Sequence, residues 1–336
     1  MKIVSLIAQI LSLILISSSL VGYTGKFSYI FELFSHFKQH FLLLGIVLLV
    51  FFIFKHDFKV LFALVLIITL LNIFELAPWY LNRPILHAST NQNSIKLITA
   101  NIKFNNSNYS AFLEFIENEN PDIIFMQELN EDWIAAISSL QKTHPHYKIY
   151  DPGLNFGVAT FSKFPILNYK ILNIGEFKTP SLITDIKIYK QHVKFINIHP
   201  MPPISPRLFK SRNQMFEEVA KIIKTSTLPT VLAGDFNTTM WSPHYKKLLK
   251  ETNLRPANKG FGLQRTWPHG PANYTNFLTS EKGKGIDILP ARLIYNHPIK
   301  LPIDHVLISP NFQIQNLKSG PNIDSDHLPV IAEILF

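Results

Sequence analysis

Residues 229–239 read PTVLAGDFNTT. A short apolar run, Val231-Leu232-Ala233, stops at Gly234, and Asp235 and Asn237 follow it. The run has the length and composition of a buried strand, and the glycine marks a bend. Asp235 and Asn237 admit three readings: a polar turn, a helix cap or part of a reacting site. Ser242-Pro243 offers the better helix start, a capping hydroxyl with proline in the first turn, and places the next helix at residues 245–249. Residues two apart on an extended chain face one side, about 6–7 Å apart. The acid and the amide are therefore expected to address one group together.

The pattern of that run recurs from residue 94 onward. Residues 95–100 (IKLITA), 122–126 (DIIFM), 157–161 (GVATF), 182–189 (LITDIKIY), 193–198 (VKFINI), 230–233, 303–308 (IDHVLI) and 330–335 (VIAEIL) read as strands. Residues 109–119 and 207–224 read as helices, the second opened by Ser205-Pro206. Its apolar set, Leu208, Met215, Phe216, Val219, Ile222 and Ile223, forms one face toward a core. Many strands and few helices predict an α/β domain over residues 94–336, two packed sheets covered by helices.

The front of the chain differs. Apolar runs fill residues 3–21, 41–54 and 60–74. A membrane span needs about 20 apolar residues, which the first run meets; snorkelling Lys55, Lys59 and His40 extend the other two. Three spans within residues 1–80 are expected, or two if the first run is cleaved as a signal peptide, although its small-residue cleavage pattern is poor. Residues 55–59 (KHDFK) are short enough for a tight hairpin, residues 27–37 (FSYIFELFSHF) suit a membrane interface, and residues 81–93 read as a linker. Lys2, Lys55 and Lys59 share one side and Lys26 and Lys38 the other, a balance of three to two by which the positive-inside rule favours a cytoplasmic start of the chain. Three spans then carry the rest of the chain outside the cytoplasm. The 32 Lys and Arg against 23 Asp and Glu leave a charge of +9, which favours an anionic partner, nucleic acid, anionic lipid or a phosphorylated small molecule. With no cysteine, disulfides, thiolate nucleophiles and zinc–thiolate sites are excluded.

Polar residues stand where the apolar runs stop: Asn101, Glu128, His199, Asp235 with Asn237, Asp304, and Asp326 with His327. Singly, each has an ordinary reading as turn cap, exposed acid or loop histidine. Jointly, they supply the parts for hydrolysis of a phosphate ester. Carboxylate and amide oxygens suit a hard cation, and a histidine oriented by an aspartate is an acid–base unit or a cationic clamp.

The motifs TANIKFNN, DIIFMQELN, GVATFSKFPI, INIHP, AGDFNTT, IDHVLIS and SDHLPV occur in that order over residues 95–336. The set resembles the endonuclease/exonuclease/phosphatase superfamily, which includes pancreatic-type deoxyribonucleases, inositol-polyphosphate 5-phosphatases and bacterial sphingomyelinases. With its front anchor the chain resembles a membrane-anchored bacterial subgroup whose catalytic domain is extracytoplasmic. The resemblance implies a four-layer sandwich of two mostly antiparallel sheets flanked by helices. It implies Mg²⁺, or Mn²⁺ in its place, on Glu128 with Asn101 and Asp326 close by. Asp235 would orient or deprotonate the attacking water, and Asn237 and His199 would hold the phosphate. His327 paired with Asp304 would act on the scissile group, while Gly157, Ser162 and Lys163 would be structural. His305 stands where many relatives have tyrosine, and the tyrosine of the abasic-site endonucleases is absent at His199. The expected function is a membrane-tethered, metal-dependent phosphodiesterase or phosphatase acting on a lipid-linked phosphate, with Arg207, Lys210, Arg212 and Trp267 as candidates to face the head group. For the three basic residues an ordinary solvated helix face is the competing reading. The alternatives are a Mg-dependent nuclease acting on DNA or RNA and a catalytically inactive membrane module.

Overall fold

In the computed structural model, which describes residues 2–55, 58–81, 93–153, 156–270 and 299–336, the front of the chain is helical. It comprises α1 (Lys2–Gly22), α2 (Tyr29–Leu33), a 3-10 turn (Phe34–Phe37), α3 (Lys38–Ile53), α4 (Lys59–Leu76) and α5 (Pro78–Leu81). Three stretches, Lys2–Gly22, Tyr29–Ile53 and Lys59–Leu81, are long and apolar enough to cross a membrane. α1, α3 and α4 pack around Leu15, Leu48, Phe52, Val65 and Ile68. Gly45 lets α3 close on α4, because a methyl group there would collide with the Thr69 hydroxyl. Lys38 Nζ donates to Ser19 O at 3.5 Å and Asn72 Nδ2 to Ser19 Oγ at 3.2 Å. The end of α1, the start of α3 and the end of α4 therefore meet at one end of the bundle. Residues 56–57 of the expected hairpin and 82–92 of the expected linker lie outside the described residues.

The remainder is a sandwich. Its elements are β1 (Ser94–Asn101), α6 (Tyr109–Glu119), β2 (Ile123–Leu129), α7 (Glu131–Ala136), β3 (His146–Tyr150), β4 (Gly157–Ser162), β5 (Ile166–Ile174), β6 (Thr179–Ile188), β7 (Gln191–Ile198), α8 (Pro206–Thr225), β8 (Thr230–Asp235), α9 (Pro243–Thr252), β9 (Arg255–Pro256), β10 (Asp304–Ile308), β11 (Gln313–Ser319) and β12 (Val330–Leu335). Two six-stranded sheets form, in the orders β11-β12-β1-β2-β4-β3 and β5-β6-β7-β8-β10-β9. Each is antiparallel except for one pair, β1 with β2 and β7 with β8. Side chains such as Leu97, Phe125, Phe195, Val231 and Val306 fill the space between the sheets. α6 and α7 cover the outer face of the first sheet through Phe112, Phe115 and Trp133. α8 and α9 cover the second through Phe216, Val219 and Tyr245. The expected four layers are present. Strands β3, β5, β9 and β11 were not expected, and α7 passes into a 3-10 turn (Ile137–Lys142). The helix starts are as read: Ser205 Oγ accepts from Leu208 N, and Ser242 Oγ from His244 N at 3.1 Å.

The helical front is clamped to this sandwich. Arg212 on α8 reaches both oxygens of Glu32 on α2, at 2.7 and 2.8 Å, and both side chains are 0% exposed. Ser242 Oγ donates to the same carboxylate. His36 Nδ1 meets Thr239 Oγ1 at 2.9 Å. Trp241 Nε1 donates to Glu75 O at 3.2 Å, and Trp79 O accepts from Gly260 N and Gly262 N at 3.0 and 2.7 Å. Arg212 therefore does not face a head group or solvent, and residues 29–37 are docked on α8 and the turn after β8. Arg207 pairs instead with Glu176 at the surface.

Candidate active site

Alternation along the strands sets where the site lies. Residues i and i+2 share a face of a sheet. Leu97, Thr99 and Asn101 therefore point between the sheets, as do Phe195 and Asn197 followed by His199, Val231 and Ala233 followed by Asp235, and Asp304 followed by Val306. The inter-sheet layer is apolar at its centre and turns polar toward one edge. There Gln127 Nε2 donates to Asn197 Oδ1 at 2.6 Å and to Thr99 Oγ1 at 3.1 Å, bridging the sheets. The carboxyl ends of both parallel pairs open at this edge, the usual place for ligands in α/β sheets. Asn101 pairs with Gln127 in register, Ile198 with Gly234, and Asp304 lies directly opposite Asp235. β12, antiparallel to β1, brings Asp326 and His327 to the same edge.

Two backbone features aim the side chains. The register of β2 shifts between Gln127 and Leu129, and Glu128 there has φ +65°. Non-glycine residues seldom occupy that region, and such outliers gather at functional sites. Gly234 has φ +142°, and a side chain there would collide with the Ile198 carbonyl, so only glycine lets β8 run this close to β7. Asn237 does not extend the strand as expected. It has φ +49°, its N–H donates to Asp235 Oδ1 at 2.8 Å, and its amide donates to Pro200 O at 2.9 Å. A turn, not a shared strand face, brings acid and amide together.

Asp235 lies at the centre. Its Oδ2 is 3.1 Å from Asn101 Nδ2, 3.4 Å from Asn237 Nδ2, 3.5 Å from His199 Nε2 and 3.6 Å from His327 Nε2. Asn101 Nδ2 also donates to Glu128 Oε1 at 2.8 Å, joining the two acids. Glu128 Oε2 accepts from Phe104 N at 3.3 Å, and Oε1 lies 3.7 Å from His199 Nε2. His327 Nδ1 meets Asp304 Oδ2 at 2.9 Å, forming the expected dyad. Asp326 faces Lys103 Nζ at 3.7 Å. Burial lifts Asp235 above the usual carboxylate range, to about 6, with Asp304 adding to the effect and His327 and His199 opposing it. Burial opposes a charge on His327, but Asp304, Asp235 and Asp326 outweigh it and raise its pKa to about 10. Near neutral pH the centre thus pairs a carboxylate with an imidazolium. Raising the pKa of His327 also stabilises the fold below its unfolded value of about 6.5, and that contribution is lost as pH rises through about 10.

Several supporting residues escaped the sequence reading. Thr266 Oγ1 accepts from Asp304 N at 3.3 Å, and its carbonyl accepts from Leu328 N at 2.9 Å, so it bridges the two ends of the dyad. Ser325 Oγ donates to Asn101 O at 2.7 Å and accepts from His327 N at 3.1 Å. A buried threonine or serine in a loop gives no signal of such a role. His305 points away from Asp304, packs on Phe236 and Tyr245, and meets Thr238 O at 2.8 Å. Burial holds its pKa down to about 4, so it is a neutral brace for the turn after β8. Ser162 and Lys163 are structural, as expected: Phe164 N donates to Ser162 Oγ at 2.9 Å and Lys163 Nζ to Asn120 Oδ1 at 2.7 Å.

The donor set fits a divalent cation. Glu128, Asp235, Asp304 and Asp326 bring carboxylate oxygens to one edge, where His199, His327 and Lys103 face them, a chemistry suited to Mg²⁺ or Mn²⁺. Ligand atoms of Asp235, Asp304 and His327 lie within 4.8 Å of one another, but Asp304 and His327 are already bonded to each other.

The profile described as "Endonuclease/Exonuclease/phosphatase family" matches residues 98–327. No curated protein sequence matches the chain. Among solved structures, an endonuclease/exonuclease/phosphatase family protein from Bacteroides thetaiotaomicron is 17% identical with a TM-score of 0.54, over 73% of this chain and 99% of that one. Sphingomyelinase C from Streptomyces griseocarneus is 15% identical with a TM-score of 0.52, over 72% and 100%. TDP2 from Caenorhabditis elegans is 18% identical with a TM-score of 0.53, over 72% and 75%. At these identities the likeness is one of fold.

Proposed function

The chain belongs to the endonuclease/exonuclease/phosphatase family, and on that premise we propose that it is a membrane-tethered, metal-dependent hydrolase of a lipid-linked phosphate ester. The observation that carries the chemistry is the buried group of Asp235, His199 and the Asp304–His327 dyad at the strand ends. The observation that carries the lipid is the clamp between that sandwich and three helices long enough to cross a bilayer.

Asp235 takes the proton of an attacking water as the oxygen–phosphorus bond forms. Its raised pKa keeps it ionised at neutral pH yet basic enough to accept that proton. His199 Nε2, 3.5 Å from Asp235 Oδ2 and 3.7 Å from Glu128 Oε1, faces the same edge and holds a phosphate oxygen there. The Asn237 amide holds a second oxygen. His327, kept charged and oriented by Asp304, faces the negative charge that develops as the bond to the leaving oxygen breaks. Glu128, with Asn101 and Asp326, would hold a Mg²⁺ or Mn²⁺ ion, which when bound polarises the phosphate and offsets its charge.

The full chain in mixed micelles is expected to release product from a long-chain lipid phosphate. Chelation should lower turnover at least about a hundredfold, with recovery on adding Mg²⁺ or Mn²⁺. Full turnover in chelator overturns the metal assignment. Cleavage of plasmid DNA with lipid phosphates untouched, falling steeply between about 50 and 200 mM salt, identifies a nuclease instead. The sandwich sits at the bundle end away from Lys55 and Lys59, so we also assign it to the extracytoplasmic side of a bacterial cell membrane. A reporter fused after Phe336 that works only in the cytoplasm contradicts that orientation.

A further inference from the structure

A cleft of about 290 Å³ opens where α3 and α4 reach the sandwich. Leu42, Leu43, Ile73 and Leu263 form its apolar walls, and Gln39 and Arg265 form its polar end. Leu43 is 62% and Ile73 40% exposed, so the cleft opens sideways from the helix bundle, where the chains of a bilayer would lie. Apolar walls alone would only contact surrounding lipid. The polar end distinguishes this cleft.

Arg265 Nε donates to Gln39 Oε1 at 2.7 Å, and Gln39 Nε2 donates to Lys300 O at 2.6 Å. Lys300 Nζ meets His269 Nδ1 at 3.0 Å, and His269 N donates to Asp326 O at 2.8 Å. The residue after Arg265 is Thr266, which bonds the backbone of Asp304 and of Leu328, the residue after His327. One run of contacts thus leads from the apolar cleft, past two cationic side chains, to the edge of the active site. The volume is at the low end of small-molecule pockets, roughly 300 Å³, and accommodates part of one hydrocarbon chain.

We propose that this cleft binds one hydrocarbon chain of a membrane lipid with an anionic phosphate head, and that Arg265 and Lys300 receive the head beside the active site. This rests on the lipid-phosphate reading of the site and makes its substrate selection a property of the anchor. The phosphate is complementary to the two cations, and the chain to the walls between α3 and α4.

The test places a reporter in the cleft of the full-length protein, reconstituted in vesicles: Leu263→Trp, and separately Ile73→Trp on the opposite wall. Each is titrated with brominated-chain phosphatidic acid and with brominated-chain phosphatidylcholine at equal mole fraction, and corrected for the quenching of the parent protein. Phosphatidic acid is expected to quench the added indole about fivefold more effectively, the weight of one cation near an anionic surface. Arg265→Gln in the Leu263→Trp background should remove most of that preference. Equal quenching by the two lipids overturns the proposal, because it is the mark of lipid that merely surrounds the helices. The readout needs no turnover. A selective cleft in a protein that hydrolyses no lipid phosphate removes the functional reading alone. Equal quenching in a protein that does hydrolyse one removes the cleft alone.

Discussion

Asp235→Asn is expected to lower kcat by about 10²–10⁴-fold, the range of a lost general base, while the variant folds. Asparagine matches aspartate in shape and keeps an acceptor for the Asn237 N–H that bonds Oδ1 at 2.8 Å. It cannot take a proton from water. Retention of more than about a tenth of the activity would show that the base lies elsewhere. The dyad gives a companion result with a definite sign. In its proposed role His327 must be protonated to face the developing charge, so activity is expected below its pKa of about 10 and its loss above it. Asp304 raises that pKa. In Asp304→Asn the alkaline limb of kcat/KM therefore moves to lower pH, toward the ordinary histidine value of about 6.5. A limb that stays in place would separate Asp304 from the charge state of His327.

The second large effect is expected far from the reacting groups. Glu32→Ala leaves Arg212 buried with its charge uncompensated. Breaking one partner of such a pair costs about 3–5 kcal/mol. Nothing nearby replaces the carboxylate, since Arg212 Nε is bonded to Asn213 Oδ1 and Nη1 is buried without a partner. A clear fall in the unfolding midpoint of the full chain in detergent is expected. The double replacement Glu32→Met with Arg212→Met should recover much of it, because apolar substitution of a whole buried pair is often neutral or stabilising. A single variant within about 0.5 kcal/mol of the parent would mean that the pair is solvated after all.

The strands legible in the sequence and those missed divide by position. The eight expected strands are all interior to a sheet. The four missed, β3, β5, β9 and β11, are the four edges. Interior strands are covered on both faces, so IKLITA and VKFINI are dense in branched apolar residues. Edge strands carry exposed polar positions, as in ILNYKILNI and QIQNLKS, which blur into loop composition. The candidate site residues were legible as a set because each stands in, at or near the end of an interior strand, whether closing it like Asn101 and Asp235, opening it like Asp304, or in the adjoining loop like Asp326 and His327. Their arrangement was only partly so: the left-handed turn at Glu128 leaves no compositional trace, and asparagine at 237 tolerates that conformation but suits a strand end equally well. Least visible of all was the clamp of Glu32 on Arg212, which joins residues 180 positions apart. A single acid in an aromatic stretch and a single arginine on an amphipathic helix look like surface charges until the two faces meet.

The carbonyl of Trp79 carries two backbone hydrogen bonds from the loop at Gly260 and Gly262, just where the last long helix stops. With Glu32, His36 and Glu75 it holds the sandwich in one pose on the bundle. On the proposed membrane-tethered reading, the distance from the bilayer plane to Asp235 is then a constant of the molecule, and the protein would work as a gauge of fixed height. That reading expects a phosphate presented at that level to be within reach, and the same ester carried higher on a bulky head group to pass over the site.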